Sequence, residues 1–385
     1  MPLQLPATAA DYRRLARARL PRFLFDYVDG GAGEEQTLRA NEADWAKVIL
    51  RQRVLVDVEG VDTGAVLAGQ ACDMPLALAP VGLAGMMARR GEVQAARAAA
   101  AAGVPFTLST VGICPLQEIQ RAVARPAWFQ LYMLRDRGIV QALLQRAWDA
   151  GCRTLVFTVD LPLPGLRHRD IRNGLSAGTA RARLGRALDL LGHPAWTWDV
   201  ALRGKPHAFG SLADHVPDAR DMDAFKAWVD AQFDPSVTWA GIDWLRGQWP
   251  GTLLLKGILD EDDARAAVRA GAQGLVVSNH GGRQLDGAAS TASRLPAIVQ
   301  AVGAQAEVLV DGGIRGGVDV FRALALGARG VLVGRPWVWA LAAAGERGLA
   351  DLLQRWRQEL RLAMTLAGVT RVADIRATHL DRSHP

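Results

Sequence analysis

Eight short apolar runs recur along the chain, most of them rich in β-branched residues, and each ends in polar or glycine residues. Continuous apolar runs of this length are typical of strands that are covered on both faces, as in parallel sheets. The runs are Pro75–Gly82, Pro105–Thr110, Ala127–Tyr132, Thr154–Asp160, Thr252–Gly257, Gly274–Gly282, Glu307–Gly313 and Gly330–Arg335. The pattern therefore predicts eight buried strands.

Helix-like stretches lie between most of these runs. Examples are residues 91–103, 136–151, 260–271 and 315–327, which carry acidic residues near the start and glycine at the end. Strands that alternate with helices eight times predict a (β/α)8 barrel of the α/β class. The alternative is a doubly wound open sheet, but no G-x-G-x-x-G motif follows the first strand.

Three segments lie outside this alternation. Residues 1–74 precede the first strand, and we expect them to form helices and a cap over one end of the barrel. Residues 171–250 separate strands four and five by far more than an ordinary crossover, which indicates a functional loop. With C-terminal helices in 336–385, we predict one domain whose barrel strands lie in 75–170 and 251–335.

Composition narrows the classes of partner. Half of the 385 residues are hydrophobic, and the net charge of +6 favours anionic partners. The basic residues are spread along the chain, which argues against nucleic acid. Three separated cysteines without a C-x-x-C pair argue against a zinc or disulfide framework, so we predict no metal. Without an apolar signal core or an apolar stretch of about 18 residues, we expect a cytoplasmic protein or one on the inner face of a membrane.

The catalytic face of a barrel lies at the carboxyl ends of its strands. His280 follows the sixth strand, flanked by Asn279 and two glycines, with Arg283 three residues on. Glycines let the backbone approach a ligand, and an imidazole has the pKa of a base near neutrality. Asp160, at the end of the fourth strand, could hydrogen-bond this imidazole. The structural alternatives are a polar histidine satisfied by its surroundings and a solvated turn carboxylate.

Two glycine-rich strand ends predict a phosphate site. The segment DGGIRGG follows the seventh strand and GRP follows the eighth, where such barrels commonly bind phosphate with backbone amides and a helix N-terminus. Arg315 and Arg335 would add charge-assisted hydrogen bonds to phosphate oxygens. The alternative is a pair of tight turns with incidental arginines.

Lys256 ends the fifth strand and is one of only four lysines among 45 basic residues. A compact ammonium group at this position indicates either a Schiff-base lysine or a charge that neutralises an anionic cofactor. The spacing of residues leaves both interpretations open.

At these residues the chain resembles the FMN-dependent 2-hydroxy acid oxidoreductases. The resemblance covers nearly the whole chain and is carried by LPRFLFDYVDGGA, LSTVG, WFQLY, FTVDLP, KGILDEDDA, SNHGGRQLDG and DGGIRGG. It is strongest to the branch that oxidises L-lactate in bacterial respiration, through APVGLAGMMARRGEVQAA, WFQLYMLRDRG and the stretch from FDPS to KGILD (residues 233–260). It implies an FMN enzyme that oxidises an L-2-hydroxy acid, first of all L-lactate to pyruvate, and passes electrons to a membrane quinone or cytochrome.

The resemblance also implies roles for the site residues. His280 matches the family's catalytic base and Asp160 its carboxylate partner, whereas Arg283 and Arg167 match the arginines that hold the substrate carboxylate. Through the same resemblance, Lys256 matches a lysine beside the flavin ring, which favours the cofactor interpretation over the Schiff base.

Further contacts follow from the same resemblance. Tyr27 and Tyr132 match tyrosines whose hydroxyls contact the substrate. Polar and backbone flavin contacts are implied for Ala79, Pro80, Val81, Ser109, Gln130, Thr158 and Ser278, and ribityl or phosphate contacts for Asp311, Gly313, Arg315, Gly334 and Arg335. Val111 stands where plant glycolate oxidase has a tryptophan, which disfavours glycolate but is compatible with lactate or a larger acid such as mandelate. The rival functions are a soluble oxidase that uses oxygen and a non-redox, phosphate-binding barrel.

The long insertion contains a basic amphipathic stretch at residues 179–200. Arginines at 181, 183 and 186 neighbour leucines at 184, 188, 190 and 191, and Trp196 and Trp198 follow. A helix of this kind can lie in a membrane interface, and the alternative is a lid that packs on the barrel or on a neighbouring subunit. We expect peripheral membrane contact through residues 171–250 on the cytoplasmic side of the inner membrane, and the family resemblance implies a homotetramer.

Overall fold

Eight parallel strands form the centre of the computed structural model, which describes residues 5–175, 179–215, 228 and 230–381. An antiparallel hairpin, β1 (Ala65–Leu67) and β2 (Gln70–Cys72), precedes them. All eight predicted runs form strands: β3 (Leu76–Leu78), β4 (Thr107–Ser109), β5 (Trp128–Leu131), β6 (Thr154–Thr158), β7 (Thr252–Ile258), β8 (Gly274–Val277), β9 (Glu307–Val310) and β10 (Gly330–Val333).

These strands close into a barrel. Their order is β3-β10-β9-β8-β7-β6-β5-β4, and every neighbouring pair is parallel. The two ends of the sheet meet where Leu78 bridges Phe106 and the Leu78 amide donates to the Pro105 carbonyl at 2.8 Å. The predicted (β/α)8 barrel is confirmed, whereas its division into one domain with the segments given above stays a prediction.

Helices surround the barrel, and acidic residues begin several of them. Asp136 and Asp260 cap the helices that follow β5 and β7 by accepting hydrogen bonds from amides of their first turns. The α-helices are α1 (Ala9–Arg19), α2 (Arg22–Asp29), α3 (Gln36–Lys47), α4 (Ala84–Met87), α5 (Gly91–Ala101), α6 (Leu116–Ala122), α7 (Arg137–Asp149), α8 (His168–Arg172), α9 (Ala180–Leu191), α10 (Pro194–Trp196), α11 (Trp239–Gln248), α12 (Glu261–Arg269), α13 (Thr291–Val302), α14 (Gly317–Ala325) and α15 (Arg335–Ala367), the last kinked at Ala344 and Gly345.

The segment before the barrel covers both of its ends. At the amino end, the hairpin packs Leu67 and Cys72 against the interior side chains, and the Ala68 amide donates to the Glu307 carboxylate at 2.9 Å. At the carboxyl end, α2 and α3 contact the loops that follow the strands. The expected helical cap is therefore present, but the hairpin was not predicted.

The insertion contributes an exposed helix. None of the residues of α9 is buried, and the leucines at 184, 188 and 191 are 62%, 59% and 77% exposed. Trp198 is also exposed and can act as an aromatic anchor at a membrane, but Trp196 is buried and its indole N–H donates to the Met86 carbonyl, so Trp196 cannot. No helix in the described part of the chain is long and apolar enough to cross a membrane.

Candidate active site

A cavity opens at the carboxyl ends of the barrel strands and brings together most of the predicted site residues. Its wall includes Tyr27, Ala79, Pro80, Val81, Tyr132, Arg167, Lys256, His280, Arg283, Asp311, Gly313, Arg315, Gly334 and Arg335. The remaining five, Ser109, Gln130, Thr158, Asp160 and Ser278, are not part of this wall and hydrogen-bond to one another or to wall residues.

The His280 imidazole and the Asp160 carboxylate lie within hydrogen-bond distance of each other, at the ends of β8 and β6. The imidazole Nδ1 lies 2.8 Å from Asp160 Oδ1. Burial lowers the pKa of His280 below 6.5, although Asp160 opposes this shift. Burial raises the pKa of Asp160, but His280 and Lys256 more than offset this, so the carboxyl remains ionised. An ionised carboxylate at Nδ1 favours the neutral tautomer that carries its proton there, which leaves the Nε2 lone pair available as a base.

The backbone at His280 has the left-handed conformation, with a φ of 56°. The hydroxyl oxygen of Ser278 accepts from both the His280 amide and the Lys256 ammonium group at 3.0 Å. Lys256 also pairs with Asp311 at 3.2 Å. Burial lowers the pKa of Lys256, but Asp311 and Asp160 outweigh it, so the buried lysine is charged. This positive charge is therefore fixed beside the histidine loop.

Two arginines flank the Tyr27 ring. The guanidinium carbons of Arg167 and Arg283 lie 5.6 and 5.0 Å from its centroid. Arg167 pairs with Asp170 at 2.7 Å, whereas Arg283 donates to the Tyr27 and Gly30 carbonyls and has no carboxylate partner among the described residues. Burial and the neighbouring Arg167 lower the pKa of Arg283. An acid bound here would supply the missing negative charge.

Arg335 forms a second uncompensated cation. It is half-buried and donates only to the Val28 and Gly30 carbonyls within the described chain. Burial, Arg283 and Arg315 lower the pKa of Arg335 to about 9. Arg315, in contrast, pairs with Glu42 at 2.6 Å, so the two arginines of the predicted phosphate site differ in how far their charge is already satisfied.

A ladder of polar side chains crosses the ends of three neighbouring strands. The Ser109 hydroxyl on β4 donates to Oε1 of the Gln130 side chain at 3.0 Å, and Nε2 of the same side chain donates to the Thr158 hydroxyl on β6 at 3.1 Å. Nearby, burial raises the pKa of Tyr132, with Asp160 acting in the same direction. The Tyr132 hydroxyl therefore stays protonated and can donate a hydrogen bond.

Sequence reasoning missed the apolar side of the cavity. Phe209, Phe233 and Leu161 line it together with Val111, and the Phe233 ring meets the Tyr132 ring edge-on at 5.2 Å between centroids. Both phenylalanines come from the insertion, where no strand end marks a position. The FDPS segment, which resembles the family, was the available signal for Phe233.

The sequence matches a known family and close relatives over nearly its whole length. The model of the FMN-dependent dehydrogenases matches residues 16–382. A protein named L-lactate dehydrogenase from Xanthomonas axonopodis pv. citri (strain 306) is 54% identical over 98% of this chain and 96% of its own. The L-lactate dehydrogenase of Caulobacter sp. (strain K31) is also 54% identical, over 96% of this chain and 97% of its own.

Solved structures agree with this relationship. The monotopic membrane protein (S)-mandelate dehydrogenase superposes with a TM-score of 0.92 at 34% identity, over 99% of this chain and 100% of its own. A mandelate oxidase bound to (S)-4-hydroxymandelic acid superposes with a TM-score of 0.83 at 42% identity, over 98% of both chains.

Proposed function

The chain belongs to the FMN-dependent dehydrogenase family, and we propose that it oxidises an L-2-hydroxy acid, L-lactate first of all, to the 2-keto acid. The observation that carries this proposal is a neutral, carboxylate-paired histidine in a cavity that also holds Arg283 and Arg335, which have no carboxylate partner among the residues that the structure describes. L-lactate is the first candidate because close relatives carry that name.

The charges of the site fit FMN. Arg335 is a half-buried cation that has no carboxylate partner among the described residues, and the Gly281 backbone approaches it so closely that a Cβ there would lie 2.7 Å from its nitrogen. The buried Asp311 Oδ1 has no hydrogen-bond partner among the described residues and can accept a hydrogen bond from a ribityl hydroxyl. Arg335, Arg315, Asp311, Gly313 and Gly334 would thus hold the phosphate and ribityl chain.

The flavin ring would be held by the backbone from Ala79 to Val81 and by the polar ladder of Ser109, Gln130, Thr158 and Ser278. FMN, when bound, supplies the acceptor for the two electrons of the oxidation. Lys256 contributes a buried positive charge that stabilises an anionic cofactor.

The substrate would be bound as an anion. Arg283 and Arg167 donate hydrogen bonds to the carboxylate, and the hydroxyls of Tyr27 and Tyr132 orient the 2-hydroxyl group. His280 Nε2 takes a proton from the substrate, and Asp160 stabilises the imidazolium that forms. The oxidation removes two electrons and two protons: His280 accepts one proton, and the two electrons would go to bound FMN together with the other proton.

Anaerobic bleaching of the flavin tests this proposal. We expect L-lactate to bleach the FMN-loaded enzyme, whereas D-lactate leaves the spectrum unchanged. A chain that binds no FMN, or whose flavin no 2-hydroxy acid bleaches, would contradict the proposal.

A larger hydroxy acid is the second candidate. The aromatic wall of Phe209 and Phe233 favours it, since apolar side chains accommodate a phenyl group. Adding L-mandelate, glycolate and longer acids to the bleaching series separates the candidates. The acid with the highest ratio of reduction rate to half-saturating concentration identifies the substrate.

We also propose that the enzyme passes its electrons to a quinone or cytochrome while docked on the cytoplasmic face of the inner membrane. The exposed leucines of α9 and the neighbouring basic residues support membrane contact, as does the similarity to a monotopic membrane dehydrogenase. A soluble oxidase is the alternative, and release of hydrogen peroxide at the rate of substrate oxidation in air would favour it.

Vesicle flotation tests the docking. We expect replacement of the three exposed leucines of α9 by glutamine to lower binding to anionic vesicles by about tenfold or more, because each buried side chain contributes to partitioning. Leu362→Gln with Leu366→Gln is the matched control, since these side chains are exposed on α15. Equal binding of both variants would contradict docking through α9. The homotetramer is proposed from the resemblance alone, and light scattering checks it.

A further inference from the structure

One face of α3 presents three buried polar side chains to the loops of the active site. Thr37, Asn41 and Trp45 are spaced four residues apart, so they lie along one side of the helix, and each is 1 to 2% exposed. Their partners lie in the loops that follow β8 and β9, not in α3 itself. A buried polar face on a cap helix is costly unless every group is hydrogen-bonded, which makes these contacts informative.

Asn41 and Asn279 form a reciprocal amide pair. Each side-chain nitrogen donates to the oxygen of the other at 2.8 Å. The Asn41 oxygen also accepts from the Thr291 amide at 3.2 Å, and the Asn279 nitrogen also donates to the Ala289 carbonyl at 3.0 Å. These contacts fix the orientation of the Asn279 side-chain amide, since a flip of the amide would place donor against donor and acceptor against acceptor.

The orientation of Asn279 determines the backbone around His280. The Gly282 amide donates to both the side-chain oxygen and the main-chain carbonyl of Asn279 at 3.0 Å, so the Asn279 side chain helps to close the turn that contains His280. His280 has a φ of 56° within this turn, a conformation that a residue with a side chain keeps only when its surroundings impose it. Asn41 thus acts on His280 through Asn279.

The same helix holds the glycine loop after β9. The Trp45 indole N–H donates to the Gly312 carbonyl at 2.7 Å. The Asn41 carbonyl oxygen lies so near Gly313 that a Cβ there would come within 1.9 Å of it. Asn41 therefore contacts both the base loop and the loop assigned above to FMN.

We propose that Asn41 is a positioning residue, which holds the His280 loop and the Gly312–Gly313 loop in one fixed relation. It acts through Asn279 and through its own backbone and contacts neither substrate nor cofactor. This inference rests on the proposed function for the role of His280, but the contacts themselves do not depend on the identity of the acid.

Two variants of Asn41 test the proposal in the FMN-loaded enzyme. Asn41→Ala removes the amide, and Asn41→Leu removes it while filling its space. In both we expect flavin reduction at saturating L-lactate to slow by about tenfold or more, because a small misplacement of a base has a large effect. We expect the half-saturating acid concentration to change by less than about twofold, since Arg283 is anchored separately on the Tyr27 and Gly30 carbonyls.

Trp45→Phe is the matched control on the same helix face. It removes the hydrogen bond to Gly312 and leaves the amide pair intact. We expect weaker FMN binding to the apoprotein, measured by fluorescence titration, and a reduction rate of the saturated holoenzyme within about twofold of the parent. The Asn41 variants should show the opposite pattern, a slower reduction with nearly unchanged FMN binding, because they keep the backbone carbonyl that lies against Gly313.

These measurements distinguish a failure of the positioning role of Asn41 from a failure of the proposed function. A folded, FMN-loaded Asn41 variant that is reduced within about twofold of the parent rate would overturn the positioning role. Unfolding of both Asn41 variants would also overturn it, because Asn41 would then serve stability alone. If no 2-hydroxy acid reduces the parent enzyme, the proposed function fails, while the fluorescence titrations still test the hold on the Gly312–Gly313 loop.

Discussion

The His280 side chain is largely buried and lies within hydrogen-bond distance of a carboxylate, and its backbone has a left-handed conformation. Non-glycine residues in the left-handed region cost roughly 1–3 kcal/mol, and such strain collects at functional sites. The contact between Nδ1 and Asp160 fixes the imidazole ring, and the hydrogen bond from the His280 amide to Ser278 fixes the backbone. A lone polar histidine would need none of these constraints, so the geometry favours the catalytic interpretation over the structural one.

The pH dependence of the reduction rate in an Asp160 variant tests the contact between Asp160 and His280. Asp160 raises the pKa of His280 against the larger effect of burial, so Asp160→Asn should lower that pKa further. Since the base must be neutral, the rise of the reduction rate with pH should begin at a lower pH in the variant. The rate on the plateau should fall by roughly 10²-fold, because the imidazolium loses its stabilising carboxylate.

Stopped-flow reduction across a pH series provides the measurement. Asp62→Asn, an exposed turn carboxylate, is the control and should match the parent. A pH midpoint that moves upward in Asp160→Asn would show that the carboxylate does not act on His280 as described.

Arg335 supports a prediction about the cofactor. Its guanidinium group has no carboxylate partner in the described part of the chain, so the phosphate of FMN should bind it more favourably than any group of riboflavin. Arg335→Gln should weaken FMN binding by about 10- to 100-fold and leave riboflavin binding nearly unchanged. Fluorescence titration with both flavins measures the difference. Equal losses for the two flavins would instead assign Arg335 to the structure of α2, whose carbonyls it caps.

Individual site residues were predictable where a strand end fixes their place. His280, Asp160 and Lys256 follow directly from the apolar runs, because parallel strands bring their carboxyl ends together. Phe209 and Phe233 could not be placed in this way, since no periodic element leads up to them in the insertion. Asn41 looked like an ordinary polar helix residue, and only the folded chain reveals its partner 238 positions away.

The helices of the cap and the strand-end loops depend on close backbone approach. Gly313 has a φ of 81°, and a Cβ there would lie 1.9 Å from the Asn41 carbonyl oxygen. Gly60 has a similar φ of 72°, but a Cβ added to it would meet no other atom within 4 Å. A substitution at Gly60 therefore tests the left-handed backbone alone, whereas a substitution at Gly313 adds a steric clash.

This pair of glycines yields a stability prediction. Gly60→Ala should lower the free energy of unfolding by about 1 kcal/mol, which is the cost of a left-handed conformation alone. Gly313→Ala should lower it by several times as much and abolish FMN binding, because α3 must move away. Thermal unfolding and flavin titration measure both effects. Similar unfolding midpoints for the two variants would contradict the close packing of α3 on the loop.

Helices and strands that carry a long apolar pattern were easier to predict from the sequence than short ones. The eight barrel strands stand out because they are buried on both faces. The hairpin before them escaped prediction, since each of its strands has three residues, of which one is buried. Helix α9 was recognised by its leucine spacing, but the burial of Trp196 depends on Met86, which is 110 positions away.

The whole molecule concentrates positive charge at one end of its barrel. Arg167, Arg283, Arg335 and Lys256 all line one cavity. Asp170 and Asp311 pair with Arg167 and Lys256. Arg283 and Arg335 have no carboxylate partner among the described residues, and charges removed from water are unfavourable without counter-charges. The anionic cofactor should therefore stabilise the fold as well as serve the reaction. The net charge of the sequence indicated anionic partners, but only the fold shows where they would bind.

Cofactor binding should appear in thermal unfolding. FMN at 100 times its dissociation constant should stabilise the folded apoprotein by about 2.7 kcal/mol, and the unfolding temperature should rise with FMN concentration. Riboflavin at the same concentration should give a smaller rise, since it brings no phosphate charge. An unfolding temperature independent of FMN would contradict a cofactor site in this cavity.

The central claim is that His280 is the base for oxidation of a 2-hydroxy acid at bound FMN. Its most direct test is anaerobic stopped-flow reduction of FMN-loaded His280→Gln by saturating L-lactate, compared with the parent enzyme. We expect the variant to keep the flavin spectrum and to be reduced about 10²- to 10⁴-fold more slowly. Reduction of the variant at a rate within a few-fold of the parent would contradict the account.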